Sequence, residues 1–457
     1  MSTPVPLQLQ QQHVTVLDRC QVSPSQALAA GQQRSLPLTF FDLAFWGFPP
    51  VQRLFFYDHH HSAEHEFLDV PSFLRRELPL FKASLAAALH LFYPLAGRLD
   101  CELQDGPEVV CSDSDSVQLT VAASGDDFGD LASDHSRDTA RLRPLLPPLP
   151  KHYIFAVQVT VFPGAGICVG TTLHHAVADG SSYAHFIKTW AAIHRHEVEV
   201  PPPLFDRSVV RDDAGLREAF VRDHRALAAA GDGRLGEWDL SSRGDTVLLA
   251  TFRFTHEVLR GLGRRAESET SARRCSPYAL ACGAAWAGIV HARGDGNGKD
   301  GQARRFGFVT GCRARSSLPV PGNYFGNCLG LCGVEVDATT ELTAASASAA
   351  IWKVIEGLAE EGRALRDARA WVRLARESAA ARAVTVAGSP KLEIYAAADM
   401  GAPWGRPRKV EIVSVERTGA LALAEDGAGG IEVGVALPRA EMEAFRVFYS
   451  DLVAGLT

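Results

Sequence analysis

The stretch TTLHHAVADGSSYAHFIKTW, Thr171 to Trp190, carries residues able to do general-base chemistry. An imidazole titrates near neutrality. A histidine on rigid structure can therefore take a proton from a hydroxyl and later return it. The pattern is His175-x-x-x-Asp179-Gly180. Two apolar runs precede it, Ile154 to Phe162 and Ile167 to Leu173, separated by Pro-Gly-Ala-Gly. They predict a β-hairpin running straight into His174 and His175. After the pattern, Asp179, Ser181 and Ser182 are competent helix N-caps, and Tyr183, Phe186, Ile187 and Trp190 form an apolar helical face. A strand, a tight turn and a capped helix would hold His175 facing a cleft.

The short pattern His-x-x-x-Asp occurs three times among 16 histidines. His65 to Asp69 lacks the following glycine. His291 to Asp295 has it, but leads into a charged, Gly-rich stretch with no amphipathic helix after it, so His291 is expected on the surface. Taken alone, His175 reads equally as a base or as a core histidine beside an N-cap aspartate. Strand alternation is expected to put His174 on the opposite face, in a structural role. His59, His60, His61 and His65 lack carboxylate or cysteine companions at ligand spacing. A solvated loop is expected there, and no metal site anywhere. The nine cysteines are odd in number and contain no CxxC pair, which fits a reducing compartment. Cys328 and Cys332 read as small core residues.

The elements that must position these groups are spread over 457 residues with a net charge of −7, 46% hydrophobic and 22% charged. That balance describes a soluble globular protein and excludes collagen, low-complexity disorder and a polybasic nucleic-acid binder. The N-terminus has no signal-like basic and apolar regions. The apolar run Pro277 to Val290 is too short for a membrane span and predicts a buried helix. The expectation is a cytoplasmic protein without membrane or nucleic-acid partners. Pro- and Gly-rich stretches at Gly125 to Pro150, Glu199 to Arg217 and Arg293 to Arg305 predict linkers or surface loops. The second gives the division: residues 1–198 as an N-terminal domain, 199–217 as a crossover linker and 218–457 as a C-terminal domain. Helical spacing marks Leu80, Ala83, Leu85, Leu89 and Phe92, the stretch Trp352 to Glu377, and a last helix from Pro438 carrying Met442, Phe445, Phe448, Tyr449 and Leu452. Thr246 to Phe254, Arg305 to Val309, Lys409 to Val415 and Gly430 to Leu437 predict strands. The class is α/β without a strict βαβ repeat. Neither a phosphate-binding glycine loop nor a serine or cysteine nucleophile elbow is present.

Several motifs together resemble one family. LPLTFFDLAFWGFPPVQRLFFYD (Leu36 to Asp58), FYPLAGRLD (Phe92 to Asp100), HHAVADG, YFGNC (Tyr324 to Cys328) and DMGAPWGRPRKVEI (Asp399 to Ile412) are similar to segments of the plant BAHD acyltransferases. The resemblance implies a two-domain coenzyme A-dependent acyltransferase fold, with mixed sheets, flanking helices and an active-site channel between the domains. It implies a monomer using an acyl-CoA as co-substrate, with no permanently bound cofactor. His175 would be the general base. Asp179 would point away from it and pair with Arg313 of GCRAR, locking the turn. Trp404 or a nearby backbone amide would stabilise the oxyanion. Arg273, Arg274 and Ser276 would lie by the coenzyme, and Ser389 would line the active centre ahead of the second signature. Asp399, Gly401 and Gly405 of that signature would be structural. Met400 stands where the family usually has Phe, and Ala402-Pro403 look inserted, which puts the geometry of that loop in question. YFGNC resembles the branch that transfers malonyl from malonyl-CoA to the sugar of anthocyanins, flavonoids or other phenolic glucosides. A hydroxycinnamoyl-CoA transferase on the same scaffold, or a non-catalytic ligand-binding relative, are the alternatives.

Overall fold

The hairpin ahead of His174 forms as Phe155–Phe162 and Gly166–Leu173, and every residue of both strands is buried. Strands covered on both faces read as unbroken apolar runs rather than alternating ones. The hairpin is the centre of a six-stranded sheet ordered Val14–Val22, Val117–Ser124, Phe155–Phe162, Gly166–Leu173, Val51–Asp58 and Lys409–Ile412. The pairing of Val117–Ser124 with Phe155–Phe162 is parallel, the other pairings antiparallel. The computed structural model describes residues 14–26, 32–59, 68–101, 106–197, 200–231, 239–240, 245–294, 303–315, 319–360 and 362–456.

A second, five-stranded sheet runs Thr385–Gly388, Ala420–Glu425, Ile431–Pro438, Val247–Phe254 and Arg137–Asp138. The two sheets therefore exchange edges. Lys409–Ile412, late in the chain, closes the first sheet against Val51–Asp58. Arg137–Asp138, early in the chain, closes the second against Leu248 and Leu249. Arg137, fully buried, donates to Glu411 at 2.6 Å, so the two exchanged strands are also tied to each other. Lys409 is buried between Glu432 at 3.0 Å and Asp134 at 2.7 Å. Breaking one partner of such a buried pair costs about 3–5 kcal/mol. The division at 199–217 is thus crossed by one strand in each direction.

Several expectations from the sequence change here. Gly125 to Pro150 is not a surface loop. It contains the exchanged strand and the short helices Phe128–Leu131 and Thr139–Leu142, and it buries Leu131, Leu142 and Leu145 completely. The Trp352 to Glu377 pattern is interrupted. One helix ends at Gly357, Gly362 takes φ of 71°, and a new helix begins at Trp371. The first-half helix runs Leu78–Leu91 and packs through Leu78, Phe81, Leu85 and Leu89, whereas Leu80 is 51% exposed. The apolar run does form a buried helix, Pro277–Ala292, covered all round from Ala279 to Val290. Among the described residues no helix is long and apolar enough to cross a membrane. Several strands escaped the sequence reading, among them Val14–Val22, Val117–Ser124, Ala420–Glu425 and Leu329–Val336, the last pairing with Arg304–Gly311 directly after YFGNC.

Candidate active site

The central strand ends at Leu173. His174 donates its backbone N–H to Ile154 O at 2.8 Å, and Val177 N donates to His174 O at 3.1 Å. The two histidines therefore occupy a turn, and strand alternation does not apply to them. This corrects the expectation for His174, although its surroundings are still packing. Its Nδ1 accepts from Ala176 N at 3.3 Å, and its ring lies 5.8 Å from that of Trp46. His175 stacks flat on Phe45, with centroids 4.3 Å apart and planes within 4°, and Phe48 approaches from the side at 6.0 Å. Burial in this apolar setting is the main cause that lowers the His175 pKa to about 4. Its own backbone and the Asp179 carboxylate oppose the shift, and the Arg53 guanidinium adds to it. The imidazole is neutral at physiological pH, the state a general base needs.

Asp179 does not hold the imidazole. It is 1% exposed and caps the helix Gly180–His194, accepting from Ser182 N at 2.9 Å. Arg313 meets the same carboxylate in a fork, Nη1 to Oδ2 at 2.6 Å and Nη2 to Oδ1 at 3.1 Å, and Cys328 N donates to Oδ2 at 3.1 Å. The pairing expected from the sequence is therefore present, between a residue of the first half and one of the second. Cys328 is fully buried and Cys332 half-buried.

YFGNC packs directly on this turn. The Ser182 hydroxyl donates to Gly326 O at 2.9 Å and accepts from Gly326 N at 3.1 Å. Gly326 takes φ of 154°, a backbone conformation that residues with a side chain rarely adopt, and a Cβ there would also stand 2.5 Å from Nη1 of Arg207, which itself donates to Tyr324 Oη at 2.6 Å. Asn327 makes the most direct link. Its Nδ2 donates to the carbonyl of His175 at 3.0 Å and to Asp42 Oδ1 at 3.1 Å, and its backbone N–H donates to the same oxygen at 2.8 Å. Asp42 is wholly buried in the turn-long helix Phe40–Leu43, whose cap Thr39 donates N–H to Asp42 Oδ2 at 2.8 Å. The sequence reading missed Asp42. The Thr39-x-x-Asp42 spacing of a capping box was its visible signal. Asn327→Ala removes a buried donor from both Asp42 and the His175 carbonyl. Expected are a stability loss of about 1–3 kcal/mol and a fall in kcat larger than any rise in KM, checked by urea unfolding and steady-state kinetics.

The second signature docks at the far end of the same helix. Arg195, just past Gly180–His194, donates to Asp399 O. Gly401 has φ of 70°, and a Cβ on it would lie 2.8 Å from Arg195 Cγ. Trp404 N donates to Gly401 O at 2.8 Å and Met400 N to Gly405 O at 2.9 Å, closing the loop around the cis Ala402–Pro403 peptide. Met400 is buried, so it takes a core position. Trp404 is buried, with its ring edge-on to His59 at 5.4 Å and Phe73 at 6.4 Å, whereas Phe45 and Phe48 are the rings against His175. That placement suits a packing part of the loop better than an oxyanion donor. His60, His61 and His65 lie outside the described residues. Ser276 caps Pro277–Ala292, accepting from Ala279 N at 3.2 Å, with Arg273 and Arg274 exposed just before it. Among the described residues, no hydrogen bond or ion pair joins this group to His175. Ser389 caps the turn Pro390–Leu392 and lines a narrow cavity with Leu392 and Arg53. His291 is exposed at the end of its helix.

Two mixed sheets exchange edge strands, and the turn carrying His175 is held by residues of both halves. A model of the Transferase family matches residues 12–451, and the chain belongs to that family, the BAHD acyl-CoA-dependent acyltransferases. It is 34% identical over 464 aligned positions to a malonyl-CoA:anthocyanidin 5-O-glucoside-6''-O-malonyltransferase of Arabidopsis thaliana, covering 96% of this chain and 98% of the relative. It is 31% identical to phenolic glucoside malonyltransferase 2 of the same plant, covering 95% and 98%. Among solved structures it is similar to vinorine synthase, with a TM-score of 0.69 at 19% identity, covering 96% of this chain and 98% of that one, which bears on the fold.

Proposed function

We propose that the protein transfers malonyl from malonyl-CoA to a sugar hydroxyl of an anthocyanin, flavonoid or other phenolic glucoside. The observation that carries this is a neutral His175 whose turn is clamped by YFGNC, in a chain similar along nearly all its length to malonyltransferases of such glucosides. His175 takes the proton of the attacking hydroxyl. A sugar hydroxyl is a very weak acid, so proton removal and attack on the thioester carbonyl are concerted. The tetrahedral intermediate collapses by expelling the coenzyme thiolate, to which the imidazolium returns the proton. Donor and acceptor are present together, because no acyl-enzyme intervenes. Asp179 and Arg313 position the turn without touching substrate. Arg273, Arg274 and the capped helix after Ser276 offer cations and free N–H groups for coenzyme phosphates. The enzyme acts as a cytosolic monomer.

The test is a matrix of malonyl-, acetyl- and coumaroyl-CoA against phenolic glucosides, followed by thiol release and product mass. Malonylated glucoside with malonyl-CoA is the expected product. Preferential coumaroyl transfer would reassign the donor, and absence of thiol release with every pair would overturn the reading.

A further inference from the structure

Arg53 lies on the strand Val51–Asp58, opposite Thr171 of the hairpin strand that leads to His175. It is 6% exposed. Its guanidinium carbon sits 4.5 Å over the ring of Tyr183, in the first turn of the helix that Asp179 caps. Its Nε and Nη1 have no hydrogen-bond partner. The neighbouring buried cations differ in this respect: Arg137 and Lys409 each have a carboxylate within 3.0 Å. A buried charge without an anion is costly, and buried donors without acceptors are rare in folded proteins. The aromatic face satisfies the cation from one side only and gives its in-plane N–H groups nothing to bond. Arg53 also lines a narrow cavity with Thr251, Ser389, Leu392, Glu411 and Glu432, and the two carboxylates there are paired with Arg137 and Lys409 rather than with Arg53. Leu392 comes close enough to Gly180 that a Cβ there would stand 2.9 Å from Leu392 Cδ1, so one wall of the cavity packs on the start of the helix that follows the His175 turn.

We infer that Arg53 is the acyl-specificity residue, receiving the free carboxylate of the donor's malonyl group in this cavity. This rests on the malonyl reading above and names the group that would recognise it. A guanidinium presents planar, fixed donors that match a carboxylate, which a neutral acyl chain of equal size cannot use. Binding a carboxylate there would pair the buried charge. It would also offset the Arg53 field that disfavours imidazolium at His175, making the base stronger when the correct donor is bound.

The experiment compares kcat/KM for malonyl-CoA with that for acetoacetyl-CoA, which replaces the carboxylate by a methyl ketone of similar size. The ratio is measured for the wild-type protein and for Arg53→Gln. The expected result is a malonyl preference in the wild type that falls about tenfold or more in the variant, as losing a charged hydrogen bond implies. A malonyl preference that survives in Arg53→Gln, or an equal loss with both donors, overturns the assignment while leaving the malonyl reading intact. A wild-type protein that does not use malonyl-CoA overturns both. Should Arg53→Gln not fold, Arg53→Lys decides on the same ratio. It keeps the charge and loses the planar donors, so a several-fold fall supports the assignment and an unchanged ratio overturns it.

Discussion

Substituting His175 by alanine is expected to lower kcat by about 10²–10⁴-fold while the protein stays folded. Truncating the imidazole removes the proposed base, which stacks on Phe45 but carries no structural load from Asp179, whose bonds go to Ser182, Arg313 and Cys328. Near-UV and far-UV circular dichroism check the fold, and thiol release with saturating donor checks the rate. Turnover retained in the variant would end the assignment of the base. The pH profile supplies an independent readout. With the His175 pKa lowered to about 4 by burial, kcat/KM should be flat from about pH 5 upward and should fall only as pH drops through about 4. An unperturbed histidine would instead lose activity below its ordinary 6.5. The same shift acts on stability with a definite sign. Between pH 6.5 and about 4 the unfolded chain binds a proton at this residue that the folded chain does not. The His175 contribution to stability is therefore present above 6.5 and is lost progressively as pH falls through that window.

How much of this was legible from residues alone depends on the range of the interaction. The hairpin, the turn and the capped helix around His175 are local. Unbroken apolar strands, a Pro-Gly-Ala-Gly connection and an Asp at the N-cap sit within about one turn or strand of each other in sequence. The link from Asp42 through Asn327 to the His175 carbonyl spans 285 positions, so no spacing rule could pair them. Leu329–Val336 went unread because Gly330 and Gly333 sit where a strand pattern wants branched or aromatic residues. Gly125 to Pro150 looked like a loop for its Asp and Pro content, while its order comes from a two-residue pairing with Leu248 and Leu249. The exchange of edges was invisible for the same reason: a four-residue strand such as Lys409–Ile412 does not announce which sheet it joins. The placement of Arg53 shows the converse. VQRLFFYD reads as a strand in either case, and only the fold shows that its arginine points into a buried cavity with donors to spare.

Breaking the Asp179–Arg313 pair is expected to have the largest effect on stability. The carboxylate is wholly buried, and the guanidinium side chain is 15% exposed. Asp179→Ala leaves that guanidinium nearly buried without its anion, strips Ser182 N of its cap and Cys328 N of its acceptor. A buried pair broken from one side costs about 3–5 kcal/mol, and loss of a helix N-cap adds about 0.5–2 kcal/mol. Asp179→Asn keeps a side-chain oxygen for the cap and loses the charge, so it should be less destabilised than Asp179→Ala. Arg313→Ala leaves the opposite charge stranded and should approach Asp179→Ala in its cost. The two residues share one hydrogen-bonded fork, so their effects cannot add: the double variant should be more stable than the sum of single losses by about 0.5–3 kcal/mol. Urea unfolding of the four proteins measures this. Activity follows from the same geometry. Asp179 touches the helix and the second half of the chain, not the imidazole, so its loss should reduce kcat through disorder of the turn, and because its charge favours imidazolium the acid limb of the pH profile should move to lower pH, not higher. A folded Asp179→Ala protein with wild-type turnover would show that His175 is held by Asn327 and the Phe45 stack alone, and the pair would then be a strut between the halves with no part in presenting the base.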